Sequence, residues 1–164
     1  MTAAVHTFSI PPVIKVVTVE CSPQAAFEVF TAHIGQWYPL HRFSINPSVD
    51  CRIEPHVGGR IYEVGIDGKE TLWGYVVEWN PPHAIAISWQ ARVSADEAQR
   101  VDISFREVAA GTEVKLVHSG WENLRVDARG WRDKYDGGWV EIFERCFKDF
   151  ANNAAVGTTK GTQR

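Results

Sequence analysis

His118 stands near the end of an alternating apolar stretch, just before Ser119-Gly120-Trp121. Imidazole titrates near neutral pH, so a histidine facing a cavity mouth is a candidate general base. The competing reading is a structural histidine held by hydrogen bonds, and no nearby Ser or Cys completes a nucleophile pair. Glu78 and Tyr62 are further candidates for proton transfer. On a regular strand Glu78 shares a face with Val76 and Gly74, while Trp73, Tyr75, Val77 and Trp79 share the other. Turned inward, Glu78 is a buried carboxylate with a raised pKa unless Arg60 or Arg106 pairs with it; turned outward, it is solvated. Both faces carry apolar groups, so the pattern leaves the choice open. Asp102 and Glu107 carry the same ambiguity, with solvated surface the expectation.

Other chemistries find little support in these residues. His33, His41, His56 and His83 are scattered, without His-x-x-x-His spacing or a paired carboxylate, so no metal site is expected. Gly58-Gly59 is followed by Arg60-Ile61, not by Lys-Ser or Lys-Thr, and reads as a turn entering a strand. Cys21, Cys51 and Cys146 are odd in number and widely spaced, which argues against a disulfide framework or a zinc site. The formal net charge of -3 and pI of about 6.1 give no basic footprint for nucleic acid. No stretch approaches the roughly 20 apolar residues that span a bilayer, and the first dozen residues lack a basic start followed by an apolar run. A cytoplasmic protein without cofactor is the expectation.

The distinctive feature is aromatic: seven Trp, eight Phe and four Tyr in 164 residues. Such rings serve a core, and they also make rigid walls for a flat apolar ligand. What they build depends on the elements that carry them. Val13 to Val19 is β-branched and reads as a first strand. Ser22-Pro23 then caps a helix, and two short helices are expected between about Pro23 and Trp37. The segment from Tyr38 to Pro47 reads as an irregular loop. About six strands follow, at Cys51 to Glu54, Arg60 to Val64, Thr71 to Trp79, Ile85 to Val93, Arg100 to Val108 and Thr112 to His118. Asp67-Gly68 marks one hairpin, Pro81-Pro82 one break, and Ala109-Ala110-Gly111 another turn.

The period then changes. Trp139, Ile142, Phe143, Cys146, Phe147 and Phe150 fall on one helical face, which Trp131 and Tyr135 extend toward the N-terminus. Trp139, Phe143 and Phe147 are predicted inside, with Glu141, Glu144 and Lys148 facing water. Gly137-Gly138 predicts a kink or a close backbone approach. A sheet with an apolar face must bury it, and this helix is the only element long and apolar enough to cover it. The prediction is α+β: a curved antiparallel sheet of six to seven strands around a long C-terminal helix. One domain spans 12–151, with 1–11 and 152–164 as flexible ends.

The ordered set Ser22-Pro23, Ala26-Phe27, Phe30, Trp37, Gly58-Gly59-Arg60, Trp73 to Pro82, Ser88-Trp89, Gly111 to Val114, His118-Ser119-Gly120 and Gly138-Trp139 resembles the activator of heat shock protein 90 ATPase-like family. That family belongs to the START-related, helix-grip superfamily called SRPBCC. The resemblance covers about Pro12 to Phe150 and implies a hydrophobic cavity between sheet and helix. It does not by itself imply one function, because one fold hosts many. Three functions compete: binding of a small hydrophobic molecule, a cyclase- or hydrolase-like enzyme using the same cavity, and a chaperone-associated interaction domain. Trp37, Phe43, Tyr62, Trp73, Tyr75, Trp89, His118, Trp121, Tyr135, Trp139 and Phe143 are the candidate cavity residues. A monomer or a homodimer fits this reading.

Overall fold

The computed structural model describes residues 9–154. The β-branched run Val13–Val19 forms β1, with Val13, Val17 and Val19 turned into the core. Ser22 stops the strand and caps α1 (Pro23–Thr31). Its hydroxyl accepts the Ala25 N–H at 3.2 Å, and Pro23 takes the first turn, where a missing N–H costs nothing. Ala26, Phe27, Val29 and Phe30 bury the inner face of α1. In α2 (Ile34–Trp37), Gly35 permits close approach to the sheet, since a Cβ there would collide with the Asp50 carboxylate. The loop expected after Tyr38 contains a further helical turn, α3 (Leu40–Phe43). Pro39 organises it by accepting the Arg42 and Phe43 N–H groups at 3.1 Å. Three short helices therefore follow β1, where two were expected.

Six strands complete the sheet: β2 (Ser48–Ile53), β3 (Arg60–Gly65), β4 (Glu70–Asn80), β5 (Ala84–Trp89), β6 (Gln99–Val108) and β7 (Gly111–Ser119). Their spatial order is β1-β7-β6-β5-β4-β3-β2, antiparallel throughout, because the chain meanders and β1 closes on β7 from Val13↔His118 to Val19↔Thr112. β4 breaks strict alternation twice. One extra residue, Trp73, lies between the pairs Ile61↔Gly74 and Tyr62↔Leu72, and another, Val77, between Val76↔Ile87 and Glu78↔Ala86. A bulge shifts which side chains point inward. Trp73 and Val76 are therefore buried and Trp79 packs on Phe27 at 5.1 Å, while Tyr75 and Val77 are exposed. The grouping of Trp73, Tyr75, Val77 and Trp79 on one face is corrected accordingly. Glu78 points outward to Arg100 at 3.5 Å, whereas Arg60 pairs with Glu54 and Glu70, and Arg106 with Glu113.

The C-terminal helix begins as α4 (Ala128–Trp139), widens into a π-helical stretch (Val140–Phe147) and returns to α-helix over 148–154. The Lys148 N–H reaches the Phe143 carbonyl, the longer reach that defines π winding. Trp139, Phe143 and Phe147 are buried as predicted, and the Phe143 and Phe147 rings stack in parallel at 5.3 Å. Glu141 departs from the water-facing expectation. Its side chain is 17% exposed and is held by both Arg42 and Arg145. Glu144 and Lys148 are half-buried.

Near the ends, Arg132 donates to the Pro11 and Pro12 carbonyls, and the Glu20 N–H donates to Asn152 in the last helical turn. The expectation of loose ends otherwise falls on segments 1–8 and 155–164, outside the described residues. No helix among the described residues is long and apolar enough to cross a membrane.

Candidate functional site

A cavity of about 310 Å³, partly open to solvent, lies between the sheet, the short helices and the C-terminal helix. Its size is at the lower end of ordinary ligand pockets, about 300–1,000 Å³. The sheet contributes Trp73 and Trp89. The α2–α3 region contributes Tyr38, Arg42, Phe43 and Ile45, and the loop after β5 contributes Ala91 and Arg92. The helix contributes Trp131, Lys134, Tyr135, Gly138 and Ile142. Trp131, Tyr135, Gly138 and Ile142 share one face because their spacing follows the helical turn. Gly138 keeps the wall open: a Cβ there would already be 3.5 Å from Phe43, and any longer side chain would enter the cavity.

The rings form a continuous surface. Tyr38 meets Trp73 at 4.8 Å, Trp73 meets Trp89 at 5.8 Å, and Trp89 meets Tyr135 edge-on at 6.4 Å. Trp89 Nε1–H donates to the Tyr135 hydroxyl at 3.0 Å, joining sheet to helix. Burial pushes the Tyr38 and Tyr135 phenols above the usual range, while the Arg92 charge works against this at both. Both hydroxyls therefore stay protonated at neutral pH.

His118 lies behind this wall, fully buried. Trp139 Nε1–H donates to its Nδ1 at 3.0 Å, which fixes the proton on Nε2, and Nε2–H then donates to Gln99 Oε1 at 3.2 Å. Trp121 stacks on the ring at 4.1 Å and donates its own N–H to the His118 carbonyl. With both nitrogens occupied and no access to the cavity, the imidazole is structural. Desolvation pushes its pKa down to about 3.

That shift has a measurable consequence. In the unfolded chain His118 takes up a proton near pH 6.5, whereas the folded chain excludes it down to about pH 3. The stability contribution is complete above pH 6.5 and is lost as pH falls, at about 1.4 kcal/mol per unit. Urea titrations between pH 7 and pH 5 are expected to show a loss of about 2 kcal/mol from this source in the native chain and a flatter pH dependence in His118→Gln.

A second buried polar group was not singled out from the sequence. Glu63 on β3 is 0% exposed and has no cationic partner among the described residues. Its Oε1 accepts the Ile45 N–H at 2.6 Å and Trp73 Nε1–H at 2.8 Å; its Oε2 accepts the Asn46 N–H at 2.8 Å and the Ser48 hydroxyl at 2.6 Å. Burial raises its pKa, but the donors from Ser48, Ile45, Asn46 and Trp73 outweigh burial and leave it below the usual carboxylate range. Glu63 thereby fixes two parts of the cavity wall, Ile45 and Trp73. The available signal was period two, which places Glu63 on the same face as buried Ile61.

Of the candidate residues, Phe43, Trp73, Trp89 and Tyr135 line the cavity. His118, Trp121 and Trp139 form the layer behind Trp89 and Tyr135. Phe143 and Trp37 sit deeper, around Phe147. Tyr62 and Tyr75 are on the outer face of the sheet, Tyr62 beneath the Arg60 guanidinium at 4.2 Å and Tyr75 at 41% exposure. Tyr38, at the start of the expected loop, and Trp131, on the extended helix face, are not among the candidate residues and prove to be wall residues, whereas Arg42, Arg92 and Lys134 gave no pattern to notice.

Comparison with known proteins places this geometry. The anthrahydroquino-gamma-pyrone synthase Txn09 is 34% identical, over 79% of this chain and 89% of that one, with a TM-score of 0.56. The Aha1 dimer from Colwellia psychrerythraea is 14% identical over 87% and 97% of the two chains, with a TM-score of 0.64. The AHSA1-like protein from Aeromonas hydrophila is 18% identical over 88% and 94%, with a TM-score of 0.63. The last two are similar in fold. A comparison with curated proteins gives no match. The family described as "Activator of Hsp90 ATPase homolog 1-like protein" matches residues 20–150, and this chain, with its antiparallel seven-stranded sheet, long C-terminal helix and aromatic cavity, belongs to that family.

Proposed function

We propose that the chain binds a small, flat, largely apolar molecule in the cavity between the sheet and the C-terminal helix. The observation that carries this reading is the wall itself: Tyr38, Phe43, Trp73, Trp89, Trp131 and Tyr135 face a space of about 310 Å³. A core built only for stability would close such a space, because protein interiors pack at crystal-like density. The family's helix-grip architecture, which leaves a cavity beneath the long helix, supports the same reading.

Tryptophan emission reads out occupancy, since Trp73, Trp89 and Trp131 line the space and Trp139 packs on Trp89 at 5.9 Å. A screen of flat aromatic and fatty compounds is expected to give saturable quenching by at least one flat aromatic. Trp89→Phe puts a smaller ring in place of the indole and frees Tyr135 from its hydrogen bond, and is expected to weaken binding about fivefold. No saturable response from any compound would argue that the domain acts through its outer surface.

A second reading, ring-closing catalysis on the bound molecule, is favoured by the relation to a synthase at 34% identity. The groups placed to serve it are the Tyr38 and Tyr135 hydroxyls, as hydrogen-bond donors to a substrate oxygen, and not the enclosed imidazole of His118. Turnover lost in Tyr135→Phe with binding retained would support this reading; binding without turnover of any aromatic polyketide-like substrate would leave simple binding as the function. Self-association, as in the Colwellia dimer, and a chaperone partner concern the outer surface and are separate proposals for sedimentation and pull-down measurements.

A further inference from the structure

The cavity wall carries three cations, Arg42, Arg92 and Lys134, and no carboxylate, although the chain as a whole has a net charge of -3. Arg42 is already committed to Glu141. Arg92 and Lys134 have no carboxylate partner among the described residues. Arg92 donates one N–H to the Ser44 carbonyl at 2.9 Å, and the guanidinium has further donors to offer. The Lys134 ammonium rests 4.8 Å from the Trp131 ring, beside the opening.

Arg92 is held in place in an unusual way. Its φ is 70°, a left-handed conformation that glycine adopts freely and a side-chain-bearing residue adopts at a cost. A charged side chain is thus presented at the mouth from a turn that glycine would suit better. Strained backbone of this kind is concentrated at ligand-binding positions.

We infer that the cavity's ligand is an anion, a flat aromatic acid whose rings lie among Trp73, Trp89, Trp131 and Tyr135 and whose acidic group meets Arg92 and Lys134 at the mouth. This inference rests on the binding reading above and names the chemical class of the molecule. An acidic group at the mouth keeps its charge partly solvated while the rings desolvate, so the ligand pays no penalty for burying an unpaired charge.

The test uses two fluorescent probes that differ in one group: anilinonaphthalene sulfonate, which is anionic, and phenylnaphthylamine, its neutral counterpart. The anionic probe is expected to bind about tenfold more tightly, a ratio typical of one charge-assisted hydrogen bond. Arg92→Gly, which the positive φ accommodates, combined with Lys134→Met, is expected to remove that preference by weakening the anionic probe about tenfold. Gly138→Leu, which places a side chain in the cavity, is expected to weaken both. Equal binding of the two probes by the native chain, or a preference that survives the double variant, overturns the anionic class and leaves the apolar cavity reading standing. Binding of neither probe overturns both.

Discussion

Glu63→Gln is expected to destabilise the folded chain by about 2–5 kcal/mol, because each buried donor left without an acceptor costs about 1–3 kcal/mol. The four donors around Glu63 come from Ile45, Asn46, Ser48 and Trp73. An amide offers one acceptor oxygen where the carboxylate offers two, and sets an NH2 against donors. Denaturant titration with circular dichroism measures the loss, and a change below about 1 kcal/mol would contradict the carboxylate's role as acceptor hub. The pH dependence has a definite sign. A carboxylate held below its usual range stabilises above that range, and the contribution is lost as pH falls through the folded value. Acid sensitivity below about pH 4 should therefore shrink in Glu63→Gln. Since Ile45 and Trp73 line the cavity, probe affinity should fall in the same variant.

Phe143→Ala is expected to cost about 3–5 kcal/mol, the usual range for emptying a fully buried phenylalanine site. Phe143 is 0% exposed and stacks on Phe147, which in turn packs against Phe30 and Trp37. The ring backs Phe147, which carries the contact between the helix and the short helices, so its loss leaves that contact unsupported. A change below about 1 kcal/mol in urea titration would mean that the helix does not pack by this face.

The helix that carries Phe143 was legible because its apolar residues recur at helical spacing and nothing else in the chain could cover the sheet. The β1–α1 junction was legible for a local reason: Ser22-Pro23 has one good use, as a cap followed by a first-turn proline. The inward face of β4 was not. Alternation assigns faces only on an unbulged strand, and the extra residues Trp73 and Val77 each reset the count. Bulges depend on the register of neighbouring strands, which no stretch of one strand specifies. The π-helical widening was hidden for a similar reason, since it is a matter of packing more than of propensity.

The site divides along the same line. Phe43, Trp73, Trp89 and Tyr135 could be picked out because large rings announce themselves. Arg92 could not, because a charged residue in a loop reads as solvated surface until the fold brings it to a cavity mouth. His118 was noticed for its chemistry, and its real role came from neighbours far along the chain, Gln99 and Trp139, that take up both ring nitrogens. Glu63 was the converse, a common surface residue type whose buried position follows from the loop at 44–48 folding onto it.

The most direct test of cavity binding is where a bound aromatic molecule sits. Nuclear Overhauser contacts between a saturating aromatic probe and isotope-labelled protein are expected to reach Trp89, Trp131, Tyr135 and Ile142, which face one another across the space between sheet and helix. Contacts confined to the outer-face residues Ile14, Val16, Tyr75 and Val77, with none to that set, would contradict it.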